Sequence, residues 1–135
     1  MIGILIVSHG AFGEALIHCA SHVLDKRPLK VRQVGVTVHD DPDAIFPQAQ
    51  ELVRQLDDGD GVLVLTDILG ATPSNIASRL LVPGKVEGVS GVSLPMLIRA
   101  LTYRTEPLAT VVEKTMSASR ECTVHMRCED NDATG

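Results

Sequence analysis

Ile2-Gly3-Ile4-Leu5-Ile6-Val7 is apolar without alternation, and a strand built from such a run must be covered on both faces. Ser8-His9-Gly10 follows it. Then Phe12, Leu16, Cys19, Ala20, Val23 and Leu24 recur at three- and four-residue intervals, the stripe of a helix that stops near Asp25 to Pro28. Strand, tight turn and helix open a βαβ unit. The pattern repeats along the chain. Val31 to Val38 reads as a second strand with Val34, Val36 and Val38 on one face, and Asp40 or Asp41 can cap a helix with Pro42 in its first turn. Ile45, Phe46, Ala49, Leu52, Val53 and Leu56 supply that helix's buried stripe, and Asp58-Gly59-Asp60-Gly61 ends it. Val62 to Leu65 is a third buried strand, delivering Thr66-Asp67 at its carboxyl end. Thr72-Pro73 reads as a cap followed by proline at the first helical position, with Ile76, Ala77, Leu80 and Leu81 facing inward until Pro83-Gly84. Val86 to Val92 is a fourth, weaker strand. Ser93-Leu94-Pro95 opens a short helix to about Tyr103, and Thr105-Glu106-Pro107 opens another to about Arg120. Cys122 to Met126 alternates apolar and polar residues, as an antiparallel edge strand does.

This order predicts an α/β fold: a doubly wound, mostly parallel sheet with helices on both faces and an antiparallel C-terminal edge strand. One domain over residues 1–128 accounts for it, with 129–135 as a frayed tail. One Tyr and two Phe leave the core to Val, Leu, Ile, Ala and Met. The twelve Lys and Arg are scattered, and net charge is −5, so nothing tracks a nucleic-acid backbone. Cys19, Cys122 and Cys128 are odd in number and lack metal or redox spacing, which reads as three reduced thiols in a cytoplasmic protein. The N-terminal apolar run is too short for a signal sequence, and no stretch reaches membrane-spanning length.

In a doubly wound sheet, ligands sit beyond the carboxyl ends of the strands, where neighbouring connections diverge to opposite faces. The residues there are Ser8-His9-Gly10 and Thr66-Asp67, followed by Ile68-Leu69-Gly70-Ala71-Thr72. A neutral imidazole nitrogen of His9 is a competent nucleophile toward phosphorus, and its other ring nitrogen needs an acceptor to fix the tautomer. Asp67 can be that acceptor; it can equally repel an incoming phosphate. Gly70 permits a tight turn, Thr72 caps the next helix, and the unpaired amides of Gly70, Ala71, Thr72 and Ser74 attract a phosphoryl group. Each feature also has a plainer reading: a satisfied polar histidine, an aspartate closing a strand, a generic helix start. His18 and His22 stand four apart with Glu14 four before them, but no further ligand is evident, and a solvated helix face accounts for them. His39 and His125 have no suggestive neighbours. Leu94, Met96 and Leu97 read as core rather than partner surface, though Met96, near the site, can serve either purpose.

Three segments, in order, are similar to the signatures of one family. Ile4 to Gly10 with Gly13-Glu14-Ala15-Leu16 resembles the phosphorylation motif of mannose-type (mannose/fructose/sorbose) enzyme IIA domains of the bacterial phosphoenolpyruvate:sugar phosphotransferase system. Thr66 to Asn75, with Ala77-Ser78-Arg79-Leu80, resembles its second signature, and Gly91-Val92-Ser93-Leu94-Pro95-Met96-Leu97 its third. The resemblance spans roughly residues 2 to 126. It implies that His9 accepts a phosphoryl group from the carrier HPr and passes it to an enzyme IIB domain. Asp67 would be the acidic residue beside that histidine and Thr72 a hydroxyl position near the phosphate. It implies no cofactor or metal at the site, no insertion in the membrane, and a homodimer, in some relatives with the last strand exchanged between subunits. That exchange would suit Cys122 to Met126. Two departures are visible. The family often has Asn where Ser93 stands, and some relatives run through a Pro/Ala-rich linker into a IIB domain, whereas this sequence stops at Gly135. Both a sugar-uptake role and a regulatory one stay open.

Rival readings are the phosphocarrier subunit of a dihydroxyacetone kinase system, a small tetrapyrrole chelatase, and a binding module whose surface changes with phosphorylation. Thr72-Pro73-Ser74-Asn75 and Leu94-Pro95-Met96 favour the mannose type over the first. The chelatase requires a second metal-handling histidine across a cleft. Histidine phosphatases begin Arg-His-Gly, and this chain has Ser8.

Overall fold

The computed structural model describes residues 1–128. The frayed tail expected over 129–135 lies outside the described residues. Four strands and five helices follow in the order β1 (Gly3–His9), α1 (Phe12–Leu24), β2 (Val31–Val36), α2 (Pro42–Leu56), β3 (Val62–Thr66), α3 (Thr72–Leu80), β4 (Val86–Ser90), α4 (Leu94–Tyr103) and α5 (Leu108–Glu121). All four strands are parallel, in the spatial order β2-β1-β3-β4. Among the described residues no helix is long and apolar enough to cross a membrane.

The two-residue period of a strand divides the core in two. Ile2, Ile4, Ile6, Leu63 and Leu65 face one way, under α1, α4 and α5, against Leu16, Ile17, Ala20, Met96, Leu97, Val111 and Ala118. Leu5, Val7, Val62 and Val64 face the other way, against Ala49 and Leu56 of α2 and Ile76, Ala77 and Leu80 of α3. The chain leaves β1 toward the α1 face and leaves β3 toward the α3 face. These two neighbouring strands therefore form the switch point of the sheet, and both carboxyl ends open there.

Several expectations require correction. Cys122 to Met126 forms no strand: α5 ends at Glu121, and the next residues run on without a ladder partner. A strand exists only through pairing, and among the described residues no strand pairs with this segment. β2 stops at Val36 because the Asp40 carboxylate takes the Thr37 amide (2.7 Å) and hydroxyl (3.1 Å), turning the chain; Val38, expected on the buried face, is exposed. The buried stripe of α1 is Gly13, Leu16, Ile17 and Ala20, which leaves Phe12, Cys19 and Val23 on the outside. Of the two aspartates offered as a cap for α2, Asp41 caps it, accepting from the Asp43 amide at 3.0 Å.

Candidate active site

β1 is buried over every residue except its last, so the sheet holds the backbone of His9 while its side chain emerges, 54% exposed, at the rim. Three contacts hold the turn that follows. Gly10 donates its amide to the Val36 carbonyl (3.0 Å) and adopts φ +52°, a conformation that favours glycine. The buried Ser8 hydroxyl accepts the Gly13 amide (3.0 Å), closing the first turn of α1. Gly35, opposite Ser8 in the ladder, makes room for the turn: a Cβ there would stand 2.1 Å from the Gly10 carbonyl oxygen. Sequence reasoning passed over Ser8, Gly35 and Gly10 as supports. The glycines carried the only signal, and it needed the β1–β2 register to be read.

Asp67 follows directly on β3. Its Oδ2 accepts from the His9 amide (2.9 Å) and lies 2.7 Å from His9 Nδ1, while Oδ1 accepts the Ile68 amide (2.9 Å). Burial pushes the carboxyl up, but the hydrogen bonds from the His9 amide, the His9 ring and the Ile68 amide outweigh it and hold Asp67 below its ordinary value. The carboxylate is therefore ionised at neutral pH and accepts a hydrogen bond from the Nδ1–H of His9. In the neutral form of the ring Nδ1 is then occupied, and Nε2 carries the lone pair. Of the two roles open to Asp67 from sequence, the contacts are those of the tautomer-fixing acceptor.

The segment after Asp67 differs in detail from the expectation. Thr72 is the first residue of α3, not its cap; Ala71 stands at the cap position with no side-chain hydrogen bond. The Ser74 hydroxyl instead braces the turn before the helix, accepting the Gly70 amide (2.8 Å) and donating to the Ala71 carbonyl (2.9 Å). Gly70 is thus spent within the turn, at φ +89°. The amides of Ala71, Thr72 and Ser74 donate to no acceptor among the described residues. Proline at position 73 brings no amide of its own. Ser93, the position of the noted departure, caps α4 through the Met96 amide (3.4 Å). No described group of three or more His, Cys, Asp or Glu side chains converges as a metal site.

The model of the PTS system fructose IIA component family matches residues 3–117. The chain belongs to that family. The mannose-specific EIIAB component of the phosphotransferase system of Escherichia coli strain K12 is 31% identical over 104 residues, 76% of this chain. The match spans 32% of that longer protein, so this chain corresponds to about a third of its curated relative. A transcriptional regulatory protein, LevR of Bacillus subtilis, is 24% identical over 102 residues, 75% of this chain and 10% of its own length. Among solved structures, the phosphotransferase system component EIIA from Streptococcus agalactiae superposes with a TM-score of 0.81 at 30% identity, covering 93% of this chain and 97% of that one. The mannose/sorbose-specific IIA subunit from Enterococcus faecalis superposes at 0.82, covering 93% and 95%; at 19% identity it speaks for the fold. The expected family and the parallel α/β fold are thus both found.

Proposed function

We propose that this IIA domain is a phosphoryl carrier of a sugar phosphotransferase system. In this reading His9 Nε2 accepts the group from an HPr-like carrier and delivers it to an enzyme IIB partner. The observation that supports it most directly is the 2.7 Å contact between His9 Nδ1 and Asp67, which leaves Nε2 as the nucleophile of an exposed ring. The neutral ring attacks phosphorus in line; the Nε2–P bond forms as the donor's P–N bond breaks, and that electron pair returns to the donor's imidazole. The Nδ1 proton stays in place, and Asp67 balances the positive charge that develops on the ring. Onward transfer runs the same step in reverse toward IIB.

Phosphoryl transfer asks the protein for alignment and charge stabilisation. The open amides of Ala71, Thr72 and Ser74 at the positive end of α3 suit the phosphoryl oxygens, with the Thr72 hydroxyl beside them. Gly70 and Ser74 act one step back, shaping that loop. Exposed Phe12 at the start of α1, Val38 after β2, and Ile68 and Leu69 after β3 follow the carboxyl ends of the three strands around His9 and supply an apolar rim for a docking carrier. The same reading places the protein in the cytoplasm as a homodimer. It calls for no cofactor.

The likeness to a transcriptional regulatory protein supports a second role for the same site, in which the phosphorylation state of His9 is read by a partner. The two roles differ in whether the phosphate moves on. Incubation with phosphoenolpyruvate, enzyme I and HPr, followed by intact-mass measurement, should show one phosphoryl group that acid removes and that His9→Ala lacks. Persistence of the added mass in His9→Ala would refute the assignment. Loss of the label on adding a IIB domain separates relay from regulator.

A further inference from the structure

Well along α1 from the phosphoryl site, two imidazoles meet. His18 Nε2 and His22 Nε2 are 3.3 Å apart, with ring planes at 86°, on the exposed face of the helix. The i, i+4 spacing puts both Cβ atoms on one helix face, and the helix fixes their separation. In the absence of a ligand, one ring must present N–H and the other its lone pair. A hydrogen bond of this kind on a fully hydrated face adds little stability.

We propose that His18 and His22 form a bidentate site for a borderline first-row divalent cation, of the class of Zn2+ or Ni2+. Two nitrogens bound at about 2.0–2.1 Å to one tetrahedral ion stand about 3.3–3.4 Å apart. The observed separation already matches what the ion requires; the ring that held the shared proton on Nε2 changes tautomer, taking a proton from water at Nδ1 as it gives one up at Nε2, so both rings stay neutral and no net proton is released. Two neutral imidazoles with no carboxylate between them select against Mg2+ and Ca2+, which take oxygen. Glu14, one turn earlier, is held by Arg27 at 3.0 Å and leaves the remaining positions to water. This makes the site exchangeable. The spacing alone left a solvated face as the reading; convergence of the two Nε2 atoms is what changes it. The inference does not depend on phosphoryl transfer.

The test follows the ring nitrogens of all five histidines by 15N NMR while ZnCl2 is added to the full chain at neutral pH. His18 and His22 should shift together and saturate at one equivalent. His18→Ala and His22→Ala should each weaken that binding at least tenfold, whereas Cys19→Ser, which removes the exposed thiol beside them, should leave it unchanged. Silence of both rings up to millimolar zinc, a shift in one ring alone, or loss of binding only in Cys19→Ser would each overturn the proposal.

Discussion

A single carboxylate decides which nitrogen of His9 can react. Asp67 gathers the His9 amide, the His9 ring and the Ile68 amide, and a side chain with three donors has one stable orientation. Asp67→Asn keeps an oxygen for the backbone amide but loses the charge that balances the ring. We expect a folded protein whose phosphoryl uptake is slowed at least tenfold in single-turnover assays; an unchanged rate would remove Asp67 from the reaction. Stability carries a second signature. The folded carboxyl lies below its ordinary value, near 3.9 in an unfolded chain. Its contribution is therefore complete above that value and is lost as pH falls toward the folded one. Urea unfolding should show wild type above Asp67→Asn at pH 7, with the gap closing in acid.

At the scale of elements, the site depends on how β1 turns into α1. The Ser8 hydroxyl stands in for the cap that Ala11 does not provide, satisfying the Gly13 amide inside the fold. Ser8→Ala should cost about 1 kcal/mol in chemical denaturation, the usual loss of a helix cap. Gly35 shapes the turn from the neighbouring strand. With the Gly10 oxygen 2.1 Å from the added Cβ, Gly35→Ala must move the β1–α1 turn or the β2 strand. The expected loss is roughly 1–3 kcal/mol, as for other overpacked sites. Because Gly10 adjoins His9, phosphoryl uptake should fall under conditions where the variant remains folded, and normal uptake would show that the turn does not position the ring.

Across the whole molecule, the end of the sheet opposite His9 is locked by one buried side chain. The Arg104 guanidinium donates to the carbonyls of Ile2 (2.8 and 3.0 Å), Leu29 (2.6 Å) and Lys30 (3.0 Å), and the Arg104 carbonyl takes the Ile2 amide (2.8 Å). It thereby joins the start of β1, the α1–β2 connection and the end of α4. Burial pushes its pKa down from the ordinary arginine value, so the carbonyl oxygens must replace the water it has lost. Arg104→Met keeps the apolar stem and strands those carbonyls. Unfolding free energy should drop by about 2–3 kcal/mol, the range for hydrogen bonds to a charged group, with phosphoryl uptake intact below the new midpoint. Loss of uptake in the folded variant would mean that the two ends of the sheet are coupled.

The amino-acid order determined what depends on local pattern. Unbroken apolar runs at Ile2 to Val7 and Val62 to Leu65 required a sheet covered on both faces, and alternation with helices made that sheet parallel. Those two choices place His9 and Asp67 at the same end of the sheet. Partner-dependent features were decided by tertiary structure. Cys122 to Met126 has the composition of an edge strand but meets no ladder among the described residues, and composition cannot provide the other half of a hydrogen bond. The Thr-Pro pair promised a threonine cap, yet the helix starts one residue earlier than that cap requires, with Thr72 already helical and Ala71 at the cap position. Phe12, Cys19 and Val23 fit a helical period, but only packing on Ile4 and Ile6 chose which stripe of α1 turns inward. Which imidazole nitrogen stays free was likewise invisible, since it depends on an atom 58 residues away, 2.7 Å from Nδ1.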